Sequence, residues 1–170
     1  MSISLLPKII ARELPEISPA LLQQRKIRLL MLDFDNTIVP YTTNLPTEKM
    51  KNWLEAMKRT DIQLCVVSNS KRDRVPKFCA DYGLDCITHA QKPFPRGIRA
   101  CRKKYGIPAA QAALAGDQIF TDTLGANCQG VTSILVSAIN NHNFWLKARH
   151  VLELPFIAMA KKRRISHEQS

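Results

Sequence analysis

Apolar residues fall along the chain in short runs, and between the runs they recur every three or four positions. The run Ile27-Arg28-Leu29-Leu30-Met31-Leu32 is nearly all apolar and ends at Asp33. A strand covered on both faces has this form. Pro46 and Thr47 then signal a helix start, with Met50, Trp53, Leu54 and Met57 as its buried stripe. A second strand, Ile62 to Val67, ends at Ser68-Asn69-Ser70, and a helix from Lys71 to about Tyr82 follows, closed by Gly83. Pro76 implies that this helix starts late or has an irregular first turn. Cys86-Ile87-Thr88 is a short third strand leading to Lys92-Pro93, and Arg96 to Tyr105 is a helix ended by Gly106. Ala112 to Ala115 is a fourth strand ending at Gly116-Asp117. A helix or turn over Thr121 to Asn127 leads to a fifth, Thr132 to Val136.

Strands alternating with helices at this interval predict an α/β fold, a Rossmann-like parallel sheet of about five strands flanked by helices. Right-handed crossovers put every strand's C-terminal end on one edge, where open α/β sheets bind ligands. Asp33 and Asp35, Ser68 and Asn69, Lys92, and Asp117 with Asp122 all land on that edge. Residues 1–26 form a separate N-terminal segment. Its apolar positions Ile3, Leu6, Ile10, Leu14 and Ile17 suit a short amphipathic helix, packed on the domain or resting on a surface, that Pro7, Pro15 and Pro19 interrupt. Residues 27–140 are the sheet domain. Residues 141–170 read as a C-terminal helix, apolar from Phe144 to Ile157, with a basic tail at Lys161-Lys162-Arg163-Arg164.

Composition narrows the class. The 170 residues suffice for one domain with its own core, and 45% apolar with 23% charged residues is ordinary for a globular protein. The apolar runs are strand-sized, so none spans a bilayer. Five cysteines without a CxxC pair read as reduced thiols of a cytoplasmic-type compartment. The first residues lack the marks of a signal or transit peptide. The net charge of +11 stands out and points to polyanions: phospholipid head groups, nucleic acid or a phosphorylated small molecule.

Carboxylates converging on one rim repel each other unless a cation sits between them. The cluster therefore predicts a hard divalent metal on oxygen ligands, with Mg²⁺ the natural candidate. Asp33, at the strand end, is placed to attack phosphorus and form an aspartyl-phosphate that water hydrolyses. Asp35 can protonate the leaving oxygen and then deprotonate the water. Thr37 would hold that loop. Ser68 and the backbone near Asn69 can donate hydrogen bonds to the phosphoryl group, and Lys92 adds a compact positive charge.

These motifs resemble the haloacid dehalogenase superfamily of phosphotransferases. The DxDxT signature is Asp33-Phe34-Asp35-Asn36-Thr37, the strand-end hydroxyl is Ser68, the lysine is Lys92 in Lys92-Pro93, and GDxxxxD runs from Gly116-Asp117 to Asp122. The resemblance implies that Asp33 is the nucleophile and Asp35 the acid/base. Mg²⁺ would be held by Asp33, the backbone carbonyl of Asp35 and Asp117, with Asp122 nearby through water. An aspartate two residues past the nucleophile is the pattern of the phosphatases of that superfamily. Neither Ile38 to Ile62 nor Ser70 to Gln91 can hold a cap domain.

The chain is closer still to the capless, subclass IIIA, YqeG-type branch, similar to the mitochondrial phosphatidylglycerophosphatases. Asp33 to Pro40, Lys92-Pro93 with Gly97, and Gly116 to Asp122 with Gly125 and Asn127 carry that likeness. It implies dephosphorylation of phosphatidylglycerol phosphate in phospholipid synthesis. An anionic lipid partner and peripheral association with the inner face of a membrane go with it, and the basic tail agrees. Two alternatives stand beside it: a phosphatase of small soluble phosphomonoesters, and a nucleic-acid or ribosome-associated module. The last is disfavoured because aromatic residues are few and do not interleave with arginines. The sequence carries no signal for oligomeric state.

Overall fold

The computed structural model describes residues 4–139. The expected C-terminal helix and the Lys161 to Arg164 cluster lie outside the described residues. The chain runs β1 (Ile9–Ile10), α1 (Pro19–Gln24), β2 (Leu29–Leu32), α2 (Glu48–Lys58), β3 (Gln63–Val67), α3 (Arg74–Tyr82), β4 (Asp85–Ile87), α4 (Pro95–Tyr105), β5 (Ala112–Gly116), α5 (Leu124–Cys128) and β6 (Thr132–Leu135). A π-helical turn, Ile119–Thr123, leads into α5.

One parallel sheet in the order β1-β6-β5-β2-β3-β4 holds all six strands. Central β2 is apolar at every position because alternate side chains enter different layers. Leu30 and Leu32 pack with Met50, Trp53, Leu54 and Met57 of α2 and with Phe78 of α3. Leu29 and Met31 pack with Ile98 and Cys101 of α4 and Ala126 of α5 on the other face. Thr47 caps α2, its hydroxyl accepting from Met50 N–H at 3.2 Å. α3 does start late, at Arg74.

The sixth strand is the departure from the sequence reading. The spacing of Ile3 to Ile17 suggests an amphipathic helix. Instead Ile9 and Ile10 pair with Ile134 and Leu135 as an edge strand, and a 3-10 turn at Leu14–Glu16 precedes the short α1. Pro7, Pro15 and Pro19 deny this stretch a continuous helix. Leu14, Ile17 and Leu22 are buried in the core beside α2, and the Trp53 indole donates to the Ile17 carbonyl at 2.9 Å. The segment therefore packs on the domain.

Strand order reverses between β2 and β5, so the crevice at their carboxyl ends is the topological switch point. All five cysteines are free thiols. Among the described residues no helix is long and apolar enough to cross a membrane, and no cap domain stands over the crevice.

The first turn of α4 is seated on the segment that delivers Lys92 to the crevice. Gly97 N–H donates to the Ala90 carbonyl at 3.1 Å, and a Cβ at Gly97 would overlap the backbone and Cβ of Ala90. A Gly97→Ala variant should lose about 1–3 kcal/mol of stability from this overpacking. Urea denaturation checks it, and an unchanged midpoint would show that α4 can shift away freely.

Candidate active site

Asp33 lies one residue past β2, and its N–H still donates across the sheet to the Ala115 carbonyl at 2.8 Å. The chain then makes a tight loop. Thr37 and Ile38 N–H groups donate back to the Phe34 carbonyl at 3.3 and 3.0 Å, and Asn36 adopts φ 59°. Asparagine tolerates that left-handed conformation better than most residues.

Four charged side chains meet below this loop. Lys92 Nζ is 2.6 Å from Asp33 Oδ1 and 2.7 Å from Asp122 Oδ1. Asp33, Asp117 and Asp122 each present a carboxylate oxygen, and these lie within 4.8 Å of one another. All four residues are buried. Thr37 Oγ1 donates to Asp117 Oδ1 at 3.4 Å, tying the β2 loop to the end of β5.

Burial opposes the charge of Lys92, yet Asp122 and Asp33 outweigh it and hold its pKa above the usual lysine value. Burial pushes Asp122 up to about 6, Lys92 pulls it down, and Asp33 adds to the rise. One lysine thus faces three carboxylates. A divalent cation suits that excess, and the donors are all hard oxygens. Buried Asp122 Oδ1 has Lys92 Nζ as a partner at 2.7 Å. On charge and on donor chemistry, Asp33, Asp117 and Asp122 fit a cation such as Mg²⁺.

Asp122 reaches the cluster through the π-helical turn. Asp122 and Thr123 N–H groups both donate to the Gln118 carbonyl, and Gln118 N–H donates to Asp122 Oδ2 at 3.2 Å. The carboxylate then lies where a Cβ at position 116 would be, so Gly116 is required there.

Asp35 stands outside the carboxylate cluster. Its Oδ1 is 3.1 Å from Arg74 Nη1, on the first residue of α3. Burial raises its pKa, Arg74 lowers it, and Asp33 raises it further, with a net rise above the ordinary carboxylate value. A raised value favours the protonated form that an acid catalyst needs. The Arg74 guanidinium also donates to the carbonyls of Tyr41, Pro40 and Thr43 at 2.7, 3.1 and 2.7 Å, and lies 5.1 Å from the Phe34 ring centre. The sequence reading did not single out Arg74. Its one signal is a cation in the first turn of a helix, against the helix dipole.

Ser68, at the end of β3, is buried beside the cluster's strands, and its Oγ accepts from Ser70 N–H at 3.1 Å. The Asn69 side chain brackets Lys92: its Nδ2 donates to the Lys92 carbonyl at 2.9 Å, and its Oδ1 accepts from Lys92 N–H at 2.7 Å. Both polar atoms of Asn69 are thereby engaged in placing the lysine.

A strand-end aspartate, a buried lysine and two further carboxylates meet at the switch point of a parallel sheet, an acidic centre whose donors suit a divalent cation. Comparison with known proteins names the kind. Haloacid dehalogenase-like hydrolases match residues 42–136, more than half of the chain, and the chain belongs to that family. The match begins after the Asp33 to Thr37 loop. Over 166 residues the chain is 28% identical to the probable phosphatase YqeG of Bacillus subtilis (strain 168), covering 96% of each. Family and relative both support phosphatase activity. A hypothetical protein from Xanthomonas campestris has a similar fold, with a TM-score of 0.57 and 17% identity over 82% of this chain and 79% of that one. So does the cobalt-bound deoxy-D-mannose-octulosonate 8-phosphate phosphatase of Haemophilus influenzae, at 0.53 and 15% over 74% and 75%.

A cation in the acidic cluster should stabilise the fold. At a hundredfold excess over Kd the gain is about 2.7 kcal/mol, or roughly 5–10 °C in Tm for a chain of this size. Mg²⁺ should raise the melting temperature of the wild type and leave that of Asp117→Asn almost unmoved. A wild type that melts at the same temperature with Mg²⁺ and with EDTA would remove the cation from this site.

Proposed function

We propose that the chain is a Mg²⁺-dependent phosphomonoesterase that works through an aspartyl-phosphate on Asp33, and that its substrate is phosphatidylglycerol phosphate. The observation that carries the chemistry is the placement of Asp33: at the end of a central strand, gripped by Lys92, beside Asp117 and Asp122.

Asp33 attacks phosphorus, a new oxygen–phosphorus bond forms, and the ester bond breaks. Asp35 gives its proton to the departing oxygen. The resulting Asp35 carboxylate then takes a proton from water as that water attacks the aspartyl-phosphate, releasing phosphate and restoring Asp33. Thr37, Ser68 and Lys92 orient the phosphoryl group, and Asn69 holds Lys92. Asp33, Asp117 and the backbone carbonyl of Asp35, with Asp122 nearby, would hold Mg²⁺, which when bound would supply the screening that lets two anions meet.

Three features support the lipid. The motifs resemble those of the capless phosphatidylglycerophosphatases, the crevice carries no cap among the described residues, and the net charge of +11 suits an anionic interface. An open crevice can admit a head group that remains anchored in a bilayer. The octulosonate phosphate phosphatases share a fold with this chain and do not bear on its substrate.

Phosphate release should depend on Mg²⁺ and be faster from phosphatidylglycerol phosphate than from a panel of soluble sugar phosphates. Asp33→Asn should reduce turnover to background, and Asp35→Asn should lower kcat by about 10²–10⁴. A variant Asp33→Asn that keeps wild-type turnover sinks the mechanism. Faster hydrolysis of a sugar phosphate sinks the substrate alone.

A further inference from the structure

Large apolar side chains are exposed at four places among the described residues: Tyr41 (43%), Leu45 (73%), Phe94 (69%) and Ile139 (41%). All four lie on loops that leave the carboxyl ends of strands. Tyr41 and Leu45 are between β2 and α2, Phe94 between β4 and α4, and Ile139 beyond β6. In a parallel sheet those ends share one edge, the edge that holds Asp33 and Lys92. Among the described residues, the turns at the opposite edge expose no large apolar side chain.

These loops are built into the site. Asn36, in the Asp33 to Thr37 loop, accepts from Tyr41 N–H through its side chain at 3.1 Å and from Ile139 N–H through its carbonyl at 2.9 Å. Phe94 follows Lys92 by two residues, and its N–H donates to the Gln91 carbonyl at 2.8 Å. Arg74, which pairs with Asp35, also fixes the loop before Leu45 through the Thr43 carbonyl. The apolar tips and the catalytic groups are therefore held in one frame.

Exposed charges on this rim are of both signs, with Arg12 and Glu16 after β1 and Glu48 and Lys49 at the start of α2. Exposed Lys71 and Arg72 follow β3, and the Arg72 guanidinium lies 5.2 Å from the Tyr41 ring centre. Arg96, also exposed, stands two residues past Phe94, while Asp73 is the acidic exception on the β3 loop.

We infer that this rim is a membrane-docking surface: its apolar tips enter an anionic bilayer, Lys71, Arg72 and Arg96 meet the head groups, and the crevice opens onto the lipid plane. The inference rests on the lipid-phosphate reading and adds the face that docks. Apolar tips with Arg72 against Tyr41 and Arg96 beside Phe94 match a surface with an apolar interior and anionic phosphates.

The test uses the full chain and the double variant Leu45→Ser, Phe94→Ser. Neither residue is among the catalytic or phosphate-binding groups, and both are exposed, so the fold and turnover of p-nitrophenyl phosphate should be unchanged. Wild type should co-sediment with vesicles of phosphatidylcholine and phosphatidylglycerol and much less with phosphatidylcholine alone. The variant should bind the mixed vesicles about a hundredfold more weakly, about tenfold for each apolar side chain withdrawn from the interface. Its hydrolysis of phosphatidylglycerol phosphate should fall in vesicles and stay at the wild-type rate for a short-chain, monomeric form.

Equal vesicle binding by variant and wild type would overturn the inference and leave the substrate reading intact. A loss of self-association in the variant, with vesicle binding unchanged, would overturn it in favour of a second copy of the chain on this rim. Wild type that binds vesicles through these residues but does not hydrolyse the short-chain lipid would overturn the substrate and keep the docking surface.

Discussion

The organisation of this protein depends on one buried electrostatic problem, three carboxylates and a lysine at the switch point of a parallel sheet. Removing one partner of a buried ion pair typically costs about 3–5 kcal/mol, because the remaining charge keeps its desolvation penalty. Lys92 serves Asp33 and Asp122 together, so the cluster is over-committed to one cation. The Asp122 pKa is raised to about 6, chiefly by burial, with Lys92 opposing and Asp33 adding to the rise. A second cation would resolve it, and carboxylate oxygens of Asp33, Asp117 and Asp122 within 4.8 Å of one another offer it hard donors.

Much of the surrounding structure holds those charges in register. The Asn69 amide clamps the Lys92 peptide, Gly97 lets α4 sit against Ala90, and Gly116 vacates the space that Asp122 fills. Arg74 does for Asp35 what Asn69 does for Lys92, with the added effect of pinning the 40–43 loop. Each charged group is oriented by a neighbour from another element. The Asp33 to Thr37 loop and its flanking loops are thus tied to one another by hydrogen bonds, through Asn36 to Tyr41 and Ile139 and through Arg74 to the 40–43 loop.

The sheet and the gathering of acidic residues and Lys92 at its carboxyl edge were legible in the sequence because the strands follow a simple pattern. β2, β3 and β5 are short apolar runs ending in polar residues, and helices between parallel strands force those ends to one edge. Asp33, Lys92, Asp117 and Asp122 follow from that rule. β1 was not legible, since two residues carry no periodicity and its identity as a strand comes from the exposed edge of β6. Arg74 was hidden for another reason: its partners are mostly backbone carbonyls, which leave no mark on residue type. The π-helical turn was hidden too, because the extra residue that swings Asp122 inward has no sequence signature of its own.

A capless crevice has to reconcile access with a low-dielectric centre. Electrostatic stabilisation of a transferring phosphoryl group grows as water is excluded. Here Asp33, Asp117, Asp122 and Lys92 are already buried by their own loops, while the rim above them exposes Leu45 and Phe94. In a capped enzyme, closing a lid over the substrate would remove the remaining water. No lid stands over the crevice among the described residues; on the proposed reading a bilayer pressed against the apolar rim would remove that last layer, which a small solute would not.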